Sequence, residues 1–381
     1  MFLQHTIEFR RTNVYSGILQ LVAIAFLAFS PVLAQSNQDA VSFYNQGLVK
    51  HQNGDFDQAI VLFNKAVALD PKYAEPHNAL GDCYSQKKDY SRAITEFTKA
   101  ISLAPKFIDA LIRRGNAYGE IGKNDKAIAD YNQVITLNPQ IAFPYFGRGV
   151  SYRNMGDFDQ AIIEFTKAIK LNPQFYMAFD NRGVIYARIK HDYDKAIADF
   201  NSALQINPRD AFAYNNRAAA YSSKGNYLQA IADSSKAIEL NPRDFMPFTN
   251  RGMAYAFLGK YEQALADHNK AISMAPNEAW LYLNRSDTYS RAGNFQMAVA
   301  DCNKAIQLNP QIPEAYLNRG LSYAKSGNPV QAIIDFTKFI NFNPMNPRGY
   351  RERAIAYRKS GNIAKMMADN QEADRLQARQ K

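Results

Sequence analysis

Apolar and polar residues alternate along the chain in two helical stripes that recur together. Prolines fall at Pro71, Pro105, Pro139, Pro173, Pro208, Pro242, Pro276, Pro310 and Pro344, spaced by 34 residues except for one interval of 35. With each unit numbered 1–34 and its closing proline at place 32, ten units run from Ala40 to the C-terminus. Places 4, 7/8 and 11 form one apolar stripe, and places 17, 20/21, 24 and 27/28 form a second. Each unit therefore predicts two helices. The turn between them reads Met155-Gly156-Asp157 or Leu258-Gly259-Lys260, and an Asn-Pro or similar pair stops the second helix. Repetition at this period means stacked hairpins that bury their stripes against neighbours, because a single hairpin cannot bury them alone.

Within the unit, place 20 is alanine from Ala59 to Ala332, place 27 is mostly alanine, and place 8 is mostly glycine, as at Gly47, Gly81 and Gly149. Tyrosine fills place 11 from Tyr84 to Tyr357. Small residues at 8, 20 and 27 let two helix backbones approach. Rings at 4, 11, 17 and 24 are expected to fill the space between them. The fifth unit carries one extra residue near Lys190-His191. The tenth lacks the closing proline, has Met366 and Asn370 at the usual alanine and ring places, and ends in the polar run 371–381, which is expected to cap the stack.

The pattern resembles the tetratricopeptide repeat, carried in one unit by Tyr145, Gly149, Tyr152, Ala161, Phe165, Ala168 and Pro173. The resemblance implies an all-α fold, a right-handed superhelical solenoid of paired antiparallel helices over residues 40–381. Residues 35–39 then read as a short linker. Residues 1–34 form a different segment. Arg10 and Arg11 precede the apolar run Ile18–Phe29, followed by Ser30-Pro31 and Val32-x-Ala34. This is the order of a signal peptide cleaved after Ala34. The alternative is an uncleaved anchor over residues 14–34, the one place where a membrane would be met. Either reading makes the protein exported, periplasmic or extracellular, or held at the membrane by its N-terminus.

Composition narrows the chemistry. Two cysteines, Cys83 and Cys302, fall six units apart and are expected to be unpaired core residues. With five scattered histidines they leave no disulfide framework or metal site. No phosphate loop or paired-histidine motif is present. The chain is therefore expected to be no enzyme and to use no cofactor or metal. The net charge of +10 is spread thinly and favours acidic partners weakly.

Arginine recurs at place 7 from Arg114 to Arg353 and suggests a basic rail. In the same units an acid recurs at place 23, from Asp130 to Asp369, so a structural bridge between the two helices is expected instead. The lysines at place 26, such as Lys65 and Lys99, are expected on a solvated second-helix face. Asparagine precedes the arginine in five units, at Asn181, Asn216, Asn250, Asn284 and Asn318. An amide offers donors and an acceptor to a peptide backbone. The row resembles the asparagine ladder of the O-linked N-acetylglucosamine transferases, a tetratricopeptide family; the alternative is plain repeat consensus.

The resemblance also implies that places 2, 5, 9, 12 and 13 of the first helices line a concave groove. Place 2 holds Phe143, Met177, Phe212, Met246 and Trp280, none required by the stripes. Phe146, Val150, Val184, Met253, Phe257, Leu283, Leu317 and Leu321 are adjacent candidates. Place 13 turns basic at Arg291, Lys325 and Lys359. Met and aromatic side chains in a row suit an extended peptide or amphipathic helix, and the basic end suits an acidic one. The expected function is a non-catalytic scaffold that binds a protein or peptide ligand in an envelope complex. The alternatives are binding of an acidic polymer, polysaccharide or nucleic acid, with nucleic acid the less favoured, or service as accessory subunit of a separate enzyme.

Overall fold

The computed structural model describes the backbone of residues 31–379 and the side chains of residues 37–379. Apart from residues 31–34, the signal segment lies outside the described residues. Twenty helices in ten successive pairs make up the described chain. They are α1 (Pro31–Gln52), α2 (Phe56–Leu69), α3 (Ala74–Gln86), α4 (Tyr90–Leu103), α5 (Ile108–Glu120), α6 (Asn124–Leu137), α7 (Ala142–Met155), α8 (Phe158–Leu171), α9 (Tyr176–Arg188) and α10 (Tyr193–Ile206). There follow α11 (Ala211–Ser223), α12 (Tyr227–Leu240), α13 (Met246–Phe257), α14 (Tyr261–Met274), α15 (Ala279–Arg291), α16 (Phe295–Leu308), α17 (Pro313–Lys325), α18 (Pro329–Phe342), α19 (Pro347–Lys359) and α20 (Ile363–Ala378). Odd-numbered helices are the first of each pair. Residues 35–39, expected as a linker, lie within α1. No described helix is long and apolar enough to cross a membrane.

Local chemistry sets these boundaries. Six second helices open on an Asp or Asn cap: the side chain of Asp55, Asp89, Asp157, Asp192, Asn294 or Asn362 accepts from the backbone N–H three residues on, at 3.0–3.3 Å. The preceding turn needs one residue at positive φ. Glycine supplies it at eight turns, with φ between 73° and 84°; Lys88 (61°) and His191 (53°) supply it in the other two. The extra residue of the fifth unit sits in this turn. At the far end, the residue before each proline is held out of the helix by the proline ring. In six units its side chain, Asp or Asn, then accepts from the N–H two residues on, as Asn138 does from Gln140 and Asn309 from Gln311, both at 3.0 Å.

The described chain divides into two compact units, one ending at Ile185 and one beginning at Tyr186, within α9. In the first, α1 packs on α2 and α3, and the pattern repeats through α8; Phe63, Phe97 and Phe165 are fully buried. In the second, α11 packs on α12 and α13 and so on to α20, around Phe200, Phe336, His268 and Cys302. Within each unit successive first helices also touch one another, α3 on α5 in the first unit and α11 on α13, α13 on α15 and α15 on α17 in the second. Each unit therefore carries a continuous first-helix wall.

The rings do not share burial equally. Those at place 24 are wholly buried, whereas those at places 11 and 17, expected in the core, are half-buried. A cation covers many of the place-11 rings: Arg92 on Tyr84 (4.5 Å), Lys126 on Tyr118 (5.6 Å), Lys195 on Tyr186 (5.5 Å). Cys83 and Cys302 are buried free thiols, and burial pushes each up to about 12, so both stay protonated. Helix α20 closes the second unit with Ala373 and Leu376 turned inward and Gln371, Asp374 and Gln377 exposed; Ile363 and Met367 are exposed as well.

Candidate functional site: the first-helix walls

The arginines at place 7 are fixed by three helices. Arg114, Arg148, Arg217, Arg251, Arg285, Arg319 and Arg353 each donate to the acid 16 residues on, at 2.6–2.9 Å, in six cases through both carboxylate oxygens. The acids are buried. Each of these arginines, and Arg182, also donates to a hydroxyl or amide oxygen 16 residues earlier, on the preceding second helix, at 2.6–3.1 Å. The acceptors are Thr98, Asn132, Thr166, Asn201, Ser235, Asn269, Asn303 and Thr337. The hydrogen bonds that it donates to the Asp267 carboxylate hold the Arg251 guanidinium above its ordinary value, against the effect of burial. The arginine row is thus a structural clamp between successive hairpins. Its third partner was readable: place 25 carries an acceptor in all of these units.

The twelve residues singled out for binding divide between the walls. Phe143, Met177 and Asn181 belong to the first unit. Phe212, Asn216, Met246, Asn250, Trp280, Asn284, Arg291, Asn318 and Lys325 belong to the second. The asparagine row is not an open ladder. Asn181, Asn216 and Asn250 are each 1% exposed, Asn284 is buried, and Asn318 is half-buried. Asn181 accepts from Arg153 and donates to the Met177 carbonyl at 2.8 Å. Asn250 donates to Asn215 at 2.8 Å, bridging α13 to α11. Asn250 Oδ1, Asn284 Nδ2 and Asn318 Nδ2 are buried without a hydrogen-bond partner among the described residues. An amide between touching first helices is sealed by the neighbouring helix, which a single-helix view of spacing does not register.

The place-2 row is also partly taken up by packing. Met246 is buried. Trp280 leans on Phe245 (6.0 Å) and the core around Phe248 and Leu281, with its Nε1 donating to Glu278 at 3.0 Å. Phe143 stacks on Phe175 at 6.4 Å. Phe212 and Met177 are half-buried. What stays open in the second unit lies nearer the C-terminal ends of the first helices. Phe257 is 41% exposed, stacks on Tyr227 at 4.9 Å and carries the Arg291 guanidinium at 4.4 Å. Met253 and Leu321 are half-buried, and Arg291, Lys325 and Lys359 are exposed on α15, α17 and α19. The lysines at place 26 are exposed on second helices, Lys236 excepted.

The first unit's wall is polar instead, which sequence spacing did not reveal. Asp82 on α3 lies 2.9 Å from His51 Nε2 of α1 and accepts from Arg113 of α5 at 2.5 Å. Arg113 also holds Asp109, which accepts from Asn78 at 2.8 Å. Burial alone would raise the Asp82 carboxyl; contact with His51 and the Arg113 charge outweigh it and keep the group below its ordinary range. No group of three or more His, Cys, Asp or Glu side chains among the described residues is placed to hold a metal.

Comparison with known proteins bears on this geometry. TPR-repeat models match residues 47–88, 188–225 and 287–327. Tetratricopeptide-repeat models match 74–107, 108–141, 142–175, 211–244 and 247–278. Together they span more than half of the chain. No curated protein matches it. Among solved structures, the Cut9–Hcn1 hetero-tetramer of the APC/C is similar, with a TM-score of 0.55 at 16% identity over 83% of this chain and 76% of that one. Yeast Tom70 gives 0.48 at 16% identity, covering 90% of this chain and 92% of that one. YrrB, described as a TPR protein with an unusual peptide-binding site, gives 0.42 at 23% identity over 49% of this chain and 95% of that one. The Cut9–Hcn1 likeness is one of fold. With the repeat models matched along its length and helices paired at the same period, the chain belongs to the tetratricopeptide-repeat family.

Proposed function

We propose that the protein is a non-catalytic scaffold that binds a partner protein or peptide along the first-helix wall of its second unit, as part of an exported or envelope complex. The observation that carries this reading is the apolar surface left at the C-terminal end of α13: Phe257 exposed, with Met253 half-buried one turn before it. Across the Asp287–Arg291 pair of α15, Leu321 on α17 is half-buried against the core and adds an apolar edge. Thioether, ring and branched aliphatic side chains at neighbouring places adapt to the ridge of an incoming helix or extended segment. The envelope setting rests on the order of charge and apolarity in residues 1–34.

The test is affinity capture by the full chain from an envelope fraction, repeated with Met253→Lys and Phe257→Lys together. The expected result is a partner held by the unaltered chain and lost by the variant, with the helical circular dichroism of the variant unchanged. A partner retained equally by both would overturn the reading.

A further inference from the structure

Helix α19 differs from the other first helices of its unit. Its buried face is Gly349, Ala354 and Ala356. Its exposed stripe is Arg348, Arg351, Ile355, Arg358 and Lys359, at the spacing that keeps one face of a helix. The five matching positions of α17 are Glu314, Leu317, Leu321, Ala324 and Lys325, of which the three apolar ones are buried or half-buried. Between adjacent helices the wall therefore exchanges Glu314, Leu317 and Ala324 for three arginines. Arg351 is engaged by Gln377 and, at 3.4 Å, by Asp374 of α20. Lys359 reaches back to the Ala324 carbonyl at 3.1 Å, which ties the cationic stripe to α17. Arg348 and Arg358 have no ion pair among the described residues. Glu352 is the one acid on α19. Ile355, 42% exposed, stands among these charges.

Exposed like charges held on a rigid helix repel one another, and a ligand that supplies anions relieves that repulsion. The aliphatic side chain at the centre of the stripe sets the class of ligand. A nucleic acid or sulfated polysaccharide would gain from the cations but would gain nothing from Ile355 and Leu321, and the stripe offers no ring for bases to stack on. We propose that α19, with Lys325, is the anchoring end for an acidic, partly apolar segment of a partner protein. Its carboxylates face Arg348, Arg358 and Lys359, and its apolar side chains cover Ile355 and Leu321. This rests on the scaffold reading above and fixes the chemistry and polarity of the partner.

Fluorescence anisotropy of three labelled peptides of equal length, alternating Glu-Leu, Gln-Leu and Lys-Leu, titrated with the full chain at low salt, tests it. Heparin and oligothymidylate serve as competitors. The expected result is that Glu-Leu binds about tenfold or more tightly than Gln-Leu. Arg348→Glu with Arg358→Glu abolishes that preference, and Ile355→Asn weakens binding of both peptides. Equal binding of Glu-Leu and Gln-Leu would overturn the acidic preference and leave the scaffold reading standing. So would a Glu-Leu preference untouched by the charge reversal. Tighter binding of heparin or oligothymidylate than of Glu-Leu would make the ligand an acidic polymer and overturn the proposal. Binding of no peptide at all would overturn this proposal, and the capture experiment alone would still decide the scaffold reading.

Discussion

Places 8 and 24 meet across each hairpin, and their sizes trade against each other. Gly81 faces Phe97, Gly149 faces Phe165 and Gly320 faces Phe336; a Cβ on these glycines would lie 2.5–2.8 Å from a ring carbon. Where place 24 is small, as at Ser234, Cys302 and Asn370, place 8 carries a side chain: Ala218, Ser286 and Ala354. Gly149→Ala is therefore expected to cost about 1–3 kcal/mol despite the better helix propensity of alanine. In a Phe165→Ala background the same change should be neutral or favourable; a double-mutant cycle by chemical denaturation measures it. His268 occupies place 24 opposite Gly252, fully buried, with Nε2 3.1 Å from Thr288 Oγ1. Burial pushes it down to about 3. The unfolded chain takes up this proton near pH 6.5 and the folded chain does not, so stability present above pH 6.5 is lost as pH falls toward 3. The slope from this one group is about 1.4 kcal/mol per pH unit. His268→Phe matches the ring used in other units and leaves Thr288 bonded to the Asn284 carbonyl. It should flatten the decline in melting temperature between pH 7 and pH 5; an unchanged decline would contradict the assignment. Arg251 belongs to the same scale. Its loss strands Asp267, which is buried, and should cost about 3 kcal/mol while leaving ligand affinity nearly intact. Denaturation paired with the anisotropy titration separates the two effects.

At the scale of the helix, caps, turn and proline of each unit act together, and this is where the sequence was most legible. Period, stripe and turn residues gave both helices of every unit because each signal is local. What the sequence did not give is what depends on the neighbouring hairpin. Asn216 and Asn250 look like an open amide row on one helix and are sealed by the next. The place-11 tyrosines look like core and are instead flanked by cations. Place 25 shows its run of Thr, Asn and Ser in the sequence, but only the stacked neighbour shows that it receives the arginine of the following unit. Asp82 draws partners from α1 and α5, at places with no shared spacing signal. One of the two turns without glycine yields a prediction. Lys88 holds the positive-φ position that glycine holds in eight others. Lys88→Gly should raise stability by up to about 1 kcal/mol, since it removes the strain of a side chain in that region; a thermal melt that falls would contradict it.

At the scale of the molecule, stability in a repeat array is a sum of hairpin terms and nearest-neighbour interfaces, so a change in one hairpin is felt mainly beside it. That locality lets a binding wall differ from unit to unit without disturbing the fold. The first unit uses its wall for a charge network around Asp82. The second leaves Phe257 exposed beside a half-buried Met253 and ends in the cations of α19. The central claim is that the second unit meets its partner on first helices and not on second helices. Hydroxyl-radical footprinting of the full chain, with and without the captured partner, reads both faces in one experiment, because oxidisable side chains lie on each: Met253 and Phe257 on α13, Met297 and Met367 on α16 and α20. The account predicts that partner binding protects Met253 and Phe257 and leaves Met297 and Met367 as reactive as before. Protection of Met297 and Met367 with Met253 and Phe257 unchanged would contradict it.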